Sequence, residues 1–118
     1  MAETRQINAD QFISIYVTCP DQACAEQIAH ALLDAQLIGC ANLIDGARSL
    51  YRWQGEIADD RECVMIMKGR ADRFPLIEET IRARHPYDVP CIIAWPFVAG
   101  HAPYLDWLAG ETDAPPHR

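Results

Sequence analysis

The sequence predicts an α+β domain with the element order β-α-β-β-α-β and a final short helix. This is the ferredoxin-like arrangement of one antiparallel sheet with strand order 4-1-3-2. Three observations support the prediction. Four apolar, β-branched runs mark strands, two segments with helical spacing of apolar residues lie between them, and glycine-containing turns interrupt the middle of the chain. Right-handed crossovers place both long helices on one face of the sheet.

The first strand and the first helix are predicted within residues 12–37. Residues 12–18 (FISIYVT) carry bulky apolar side chains on both alternating faces, which indicates a strand covered on both sides. Asp21 is the expected N-cap of the helix. Apolar residues then recur at helical spacing through about Leu37, and Gly39 is expected to end the helix.

The middle of the chain predicts a hairpin. The second strand begins at residues 40–44 and continues past a bulge near Gly46 to Trp53. Residues 54–61 are expected to form the turn region, and residues 62–68 (ECVMIMK) the third strand.

A stiff corner separates the second helix from the fourth strand. Asp72 is expected to cap this helix, with Pro75 in its first turn. The helix ends before residues 84–91 (RHPYDVPC), because two prolines in five residues exclude helix there. Residues 92–98 are predicted to form the fourth strand, and residues 104–108 are expected to lie in the final helix. The buried stripe of the second helix is expected to consist of Phe74, Ile77 and Ile81.

Residues 11–110 are predicted to form one domain, between a flexible N-terminal tail of residues 1–10 and a flexible C-terminal tail of residues 111–118. The strands are apolar on two faces, yet both long helices cover only one. A lone domain rarely exposes so large an apolar patch. We therefore expect the chain to form an oligomer through the open face of its sheet.

Composition narrows the possible functions. Seventeen acidic and ten basic residues give a net charge of −7, without a Lys/Arg cluster, which argues against nucleic acid and favours a cationic ligand or metal. No apolar run reaches the ~20 residues that span a membrane, and no signal core is seen, so a cytoplasmic protein is expected. Catalytic motifs are absent from the sequence, which disfavours an enzyme.

Three side chains are predicted metal ligands because the topology brings them to one end of the sheet. Cys19 ends the first strand, His85 follows the second helix, and Cys91 precedes the fourth strand. Two thiols and an imidazole suit Cu(I) or Zn(II). The alternative is a structural corner with a buried thiol. The cysteines expected to be small buried apolar residues are Cys24, Cys40 and Cys63.

The segments SLYRWQGEI, ECVMIMK, HPYDVP and YLDWL resemble the CutA family of divalent-cation tolerance proteins. The resemblance covers residues 12–108. It implies a ferredoxin-like homotrimer whose sheets pack around a three-fold axis. It also implies a role in tolerance to copper and other divalent ions, with copper or zinc as the candidate metal.

The chain departs from the family pattern at three positions. Relatives have Glu after the second proline of the corner, where this chain has Cys91. The family's strand thiol is replaced by Val17, and Arg84 stands where a second histidine could. His85 alone matches, and Cys91 in place of Glu favours softer ions.

Two other functions remain open at this point. The fold also resembles PII-type signalling trimers, which would hold a small molecule in a cleft between subunits. The third possibility is a structural trimer that scaffolds partners, in which aromatic residues only pack. The residues predicted to line a ligand cleft are Trp53, Glu62, Lys68, Tyr87 and Trp107.

Overall fold

The computed structural model describes residues 3–6 and 11–113. A short 3₁₀ turn, Ala71–Arg73, precedes the second helix. Within the described residues the elements are β1 Thr4–Gln6, β2 Phe12–Cys19, α1 Gln22–Asp34, β3 Ile38–Trp53, β4 Glu56–Arg70, α2 Phe74–Arg84, β5 Ile92–Pro96, β6 Ala99–His101 and α3 Ala102–Glu111.

The main sheet has the order β3-β4-β2-β5, and every neighbouring pair is antiparallel. These strands are the predicted second, third, first and fourth, so the predicted ferredoxin-like topology is confirmed. β1 and β6 form a separate two-stranded sheet. Residues 4–6 of the predicted N-terminal tail therefore form a strand, while residues 7–10 and 114–118 of the two tails lie outside the described residues. No helix in the described part of the chain is long and apolar enough to cross a membrane.

The core lies between the sheet and helices α1 and α2, which pack together on one face. Alternate residues of β2 and β4 point toward these helices because side chains along a strand alternate between the two faces. Each fully buried Leu or Ile side chain contributes about 1.5–3 kcal/mol of transfer free energy. The largest buried core residues on the two strands and two helices are Ile15, Val17, Met65, Met67, Ile28, Leu32, Ile77 and Ile81.

Helix α3 covers one end of the opposite face. Leu105 and Leu108 are buried against Phe12, and the Arg70 guanidinium donates to the carbonyl oxygens of Ala109 (2.8 Å) and Thr112 (3.1 Å) at the C-terminus of α3. These contacts place a cation at the C-terminal end of the helix, where the partial negative charge of the carbonyl groups favours it. The rest of this face stays uncovered in the single chain. We call it the open face; its exposed apolar residues include Ile44, Ile93 and Trp95.

Two helix boundaries differ from the prediction. α1 ends at Asp34, before Leu37, because Gln36 adopts a left-handed φ of 57°; Gly39 lies inside β3 and ends no helix. Asp21 caps α1 as predicted, since its Oδ1 accepts the Cys24 N–H at 2.8 Å.

The second helix also begins differently. Asp72 lies in the 3₁₀ turn and caps nothing, because α2 starts at Phe74 after an Arg73 cap without a side-chain hydrogen bond. Ile77 and Ile81 are fully buried, whereas Phe74 is only partly buried at the edge of the core.

The hairpin between β3 and β4 is longer than predicted. Its turn consists of Gln54 and Gly55 alone, with φ values of 52° and 83°, which is the two-residue geometry that matches strand twist. Residues 56–61, predicted as turn, therefore belong to β4. A bulge lies between Ile44 and Ala47, as predicted, where Gly46 has a φ of 80°. Beyond the bulge, residues 47–62 form a paired extension that we call the hairpin arm.

Candidate functional site

A cleft of about 530 Å³ opens where the hairpin arm leaves the sheet. It lies on the open face, at the end of β2 that leads into α1. The arm, the sheet and the corner after α2 each supply part of its wall. We call it the Glu62 cleft; its lining residues are Tyr16, Thr18, Ser49, Tyr51, Trp53, Glu62, Tyr87, Asp88, Val89 and Cys91.

Glu62 is the buried carboxylate of this cleft, with only 6% of its surface exposed. Its Oε2 accepts a hydrogen bond from the Tyr87 hydroxyl at 2.9 Å. A second phenol–carboxylate pair lies on the arm, where the Tyr51 hydroxyl donates to Asp60 Oδ2 at 2.5 Å. Each bond fixes the direction of one aromatic ring that lines the cleft.

His85 holds the Tyr87 backbone in place, because both of its ring nitrogens form hydrogen bonds. Its Nε2 donates to the Thr18 carbonyl oxygen at 2.8 Å, and its Nδ1 accepts the Tyr87 backbone N–H at 3.2 Å. The His85 and Tyr87 rings lie 4.8 Å apart. A continuous chain of contacts therefore runs from β2 through His85 and Tyr87 to Glu62.

Burial and the neighbouring carboxylates keep the phenols and the thiol of the cleft protonated. Burial, then the hydrogen bond to Glu62, raises the pKa of Tyr87 well above its ordinary value. The hydrogen bond to Asp60 raises the pKa of Tyr51. Burial, followed by the charge of Glu62, raises the pKa of Cys91. The cleft therefore contains protonated phenol and thiol groups beside acidic side chains, and these groups are partly shielded from water.

The charge of the cleft favours a cation. Its lining includes the carboxyl groups of Glu62 and Asp88 but contains neither lysine nor arginine. Four aromatic side chains surround these groups, and the faces of aromatic rings attract cations. A positively charged ligand would therefore meet complementary groups on several sides.

The structure does not bring the three predicted metal ligands together. Cys19 is fully buried on the helix-covered face, whereas Cys91 lines the Glu62 cleft on the other face. Both ring nitrogens of His85 already have hydrogen-bond partners, so neither offers a free lone pair. Within the described part of one chain, no three His, Cys, Asp or Glu side chains form a group that could hold a metal ion.

Three of the five predicted cleft residues line the cleft, namely Trp53, Glu62 and Tyr87. The other two lie at the opposite end of the open face. Lys68 Nζ donates to Asn42 Oδ1 at 3.2 Å and lies 3.6 Å from Cys40 Sγ. The Trp107 ring packs against Tyr104, 5.4 Å between centroids, and its six-membered ring lies next to Gly39.

Several lining residues of the cleft were not predicted from the sequence. Tyr16 and Thr18 alternate with the core residues of β2, so they share the open face with Glu62. Ser49 and Tyr51 alternate in the same way with exposed residues of the arm. Period-two alternation along each strand was the signal that could have identified all four.

The fold and the cleft together define a ferredoxin-like α+β domain with a cleft lined by acidic and aromatic side chains. The family model described as "CutA1 divalent ion tolerance protein" matches residues 13–111. A divalent-cation tolerance protein CutA from Thermus thermophilus is 41% identical over 98 residues, covering 83% of this chain and 95% of that protein. Protein CutA from Mus musculus is 38% identical over 99 residues, covering 84% of this chain but 56% of the mouse protein.

Solved structures agree with these sequence relatives. The Cut A1 structure from Thermus thermophilus has a TM-score of 0.83 at 40% identity, covering 86% of this chain and 98% of that one. CutA1 from the psychrotrophic bacterium Shewanella sp. SIB1 has a TM-score of 0.86 at 34% identity, covering 91% of this chain and all of the other. The chain therefore belongs to the CutA1 divalent ion tolerance family, as the resemblance indicated.

Proposed function

We propose that this chain acts in divalent-cation tolerance by binding copper or zinc at the Glu62 cleft. The observation that carries the proposal is the Glu62 carboxylate, which is 6% exposed and faces a cleft lined by no basic side chain. A buried carboxylate without a cationic partner is costly, and a bound cation would offset that cost. The family name supports the same direction.

The candidate donors are Glu62, Asp88 and Cys91, all of which line the cleft. Carboxylate oxygen and thiolate sulfur both ligate zinc, and the sulfur of Cys91 favours zinc and copper over harder ions. Water or a neighbouring subunit would complete the coordination, since the described part of one chain holds no three-residue metal group. His85 is a positioning residue in this proposal, and Cys19 takes no part in it.

Calorimetric titration with Zn(II) and Cu(II) tests the proposal. The Glu62→Gln variant removes the charge but keeps the shape, and Glu79→Gln on the exposed surface of α2 is the matched control. We expect Glu62→Gln to weaken binding by at least about tenfold and Glu79→Gln to bind as the wild type does. Equal affinities for wild type and Glu62→Gln, or negligible heats with both, would end the proposal.

We further propose that the protein is a homotrimer assembled through the open face. Ile44, Ile93 and Trp95 are 53%, 51% and 45% exposed there, and the arm exposes Leu50 and Ile57 at 62% and 72%. Apolar surface of this extent marks an interaction site. In this assembly the Glu62 cleft, at the root of the arm, would lie between subunits.

Sedimentation of Ile93→Asp tests the assembly, with Leu33→Asp on α1 as the control. Leu33 is 37% exposed but lies on the helix side of the sheet. We expect the wild type and Leu33→Asp to sediment as trimers and Ile93→Asp to dissociate. A wild-type monomer at micromolar concentration would contradict the proposal.

The size of the cleft favours a second candidate, a small organic cation bound in a PII-like signalling role. About 530 Å³ is within the range of small-molecule sites and far exceeds a bare ion. The four aromatic residues fit this ligand class. A thermal-shift screen with small amines tests it, and the absence of any stabilising amine would count against it.

We also propose that the protein binds its ligand without catalysing a reaction and that it is located in the cytoplasm. The family's name describes tolerance and not catalysis, which supports a binding protein without enzymatic activity. Cys19, Cys24, Cys40, Cys63 and Cys91 are free thiols, which supports a reducing compartment such as the cytoplasm. A relative from Arabidopsis thaliana is named chloroplastic, so cell fractionation is the direct measurement of location.

A further inference from the structure

Three sulfur-containing side chains lie together on the helix-covered face, near the N-terminus of α1. Cys19 is at the centre: its Sγ lies 3.6 Å from Met65 Sδ, and the Cys24 thiol is its hydrogen-bonding neighbour. Cys19 and Met65 are fully buried. We call this group of three the sulfur cluster. Cys63, opposite Cys19 in the β2–β4 register, shares the same face but lies outside the group.

The chemistry of the cluster differs from that of the Glu62 cleft. It combines thiols with a thioether, and a thioether donor is characteristic of Cu(I) sites rather than zinc sites. Cys63 and Glu62 are adjacent along β4, so their side chains point to opposite faces of the sheet. The two groups are therefore physically separate.

The geometry of the cluster is compatible with a shared ion. Bonds of about 2.3 Å from one ion to each of two sulfurs, with the sulfurs 3.6 Å apart, require a sulfur–metal–sulfur angle of about 100°. That angle is close to the tetrahedral value. Little movement of Cys19 or Met65 is needed to bind one ion between them.

Access to the cluster is provided by Cys24. This residue lies in the first turn of α1 and is only partly buried, in contrast to Cys19. Its backbone N–H is held by Asp21, so the helix start stays fixed while the side chain can move between rotamers. An ion would meet Cys24 first and then pass inward to Cys19 and Met65.

We propose that the sulfur cluster is a Cu(I) site, with Cys19 and Cys24 as thiolate ligands and Met65 as the thioether ligand. Two sulfur–hydrogen bonds are broken, and three copper–sulfur bonds form, two to thiolates and one to the thioether. Both protons pass to solvent, and copper remains in the +1 state throughout. This inference does not depend on the proposed divalent-ion site.

Anaerobic competition between the whole protein and the chromogenic Cu(I) chelator bicinchoninate tests the site. The variants are Cys24→Ser and Met65→Leu, with Cys40→Ser as the matched control because Cys40 lies beside Lys68 on the other face. We expect one Cu(I) per chain. Affinity should fall about 100-fold in Cys24→Ser and about tenfold in Met65→Leu, and stay unchanged in Cys40→Ser.

Two further measurements separate this site from others. Excess Zn(II) should not displace Cu(I), and X-ray absorption should show sulfur ligands alone at about 2.3 Å. Far-ultraviolet circular dichroism confirms that each variant is folded. The proposal is overturned if wild-type protein loses all Cu(I) to the chelator, if Cys24→Ser binds as tightly as wild type, or if Cys40→Ser loses as much affinity as Cys24→Ser.

Discussion

The Nε2 of His85 donates to the Thr18 carbonyl oxygen across 2.8 Å and joins the corner after α2 to the end of β2. This bond requires the proton on Nε2, which leaves Nδ1 as the acceptor of the Tyr87 N–H. One imidazole thereby fixes the start of the segment that carries Tyr87. His85 therefore holds the cleft wall in place. The sequence had predicted a metal ligand at this position.

Replacing His85 should affect stability more than cation binding. His85→Ala removes both hydrogen bonds of an 8% exposed side chain and should lower the free energy of unfolding by about 2 kcal/mol. Urea unfolding measures this loss. Zn(II) affinity should fall less than in Glu62→Gln, and a greater fall in His85→Ala would show that the imidazole ligates the ion.

Tyr87→Phe removes one hydrogen bond to a carboxylate at a partly exposed position. The expected loss is about 1 kcal/mol at neutral pH. Because the folded state raises the pKa of Tyr87, this stabilisation is complete below the unfolded value of about 10. It is lost as pH rises toward the folded-state pKa.

Urea unfolding of wild type and Tyr87→Phe at several alkaline pH values checks both statements. The difference between the two proteins should shrink above about pH 10. Tyr104→Phe is an informative comparison, since burial and the contact with Cys40 raise the pKa of Tyr104 to about 12. A difference for Tyr87→Phe that grows with pH would contradict the assignment.

Gly39→Ala should be destabilising, because Gly39 is the extra residue at a register shift near the start of β3 and lies close against α3. A Cβ at this position would lie 2.5 Å from Leu108 Cδ1 and 3.4 Å from the Trp107 ring, which predicts overpacking by about 1–3 kcal/mol. Gly110→Ala is the control, because open space surrounds its Cβ position in α3. That variant should gain about 0.5–1 kcal/mol. Thermal unfolding of both variants measures the contrast, and equal shifts would show that α3 does not press on β3.

Thiol labelling should separate the five cysteines by position. Cys91 is the most exposed of the five in the single chain and should react first with a small reagent such as iodoacetamide that can enter the Glu62 cleft, whereas Cys19 and Cys63 should react only after unfolding. Because burial and Glu62 raise the pKa of Cys91, its rate should rise with pH later than that of a free cysteine peptide. Mass spectrometry of labelled peptides follows each site. Early labelling of Cys19 would contradict its burial.

The topology could be predicted because apolar residues recur with a period of two in the strands and of about 3.6 in the helices. The order of these segments along the chain then indicated the fold. The ends of elements left no such signal, since Gln36 and Gln54 take left-handed φ values that usually favour glycine. The site was predicted only in part. Lys68 and Trp107 were grouped with Trp53 by residue type, but α3 packs across the far end of the sheet and holds Trp107 there. His85 was found at the right corner, yet its partners are backbone atoms that no side-chain pattern reveals.

The bulge near Gly46 has a consequence for insertions and deletions. Ile44 faces Val64 and Ala47 faces Glu62, so β3 uses two residues where β4 uses one. Losing that extra residue would leave Ile44 and Ala47 two positions apart, as in a regular ladder, so the arm would keep its present pairs and faces. Losing a residue further along the arm, such as Ser49, would instead exchange the two faces beyond it, because side chains of a strand alternate with a period of two. Leu50 and Arg52 would then replace Ser49 and Tyr51 on the cleft wall. A single codon lost at the bend would therefore be tolerated, whereas one lost beyond it would place a cationic side chain in an acidic cleft.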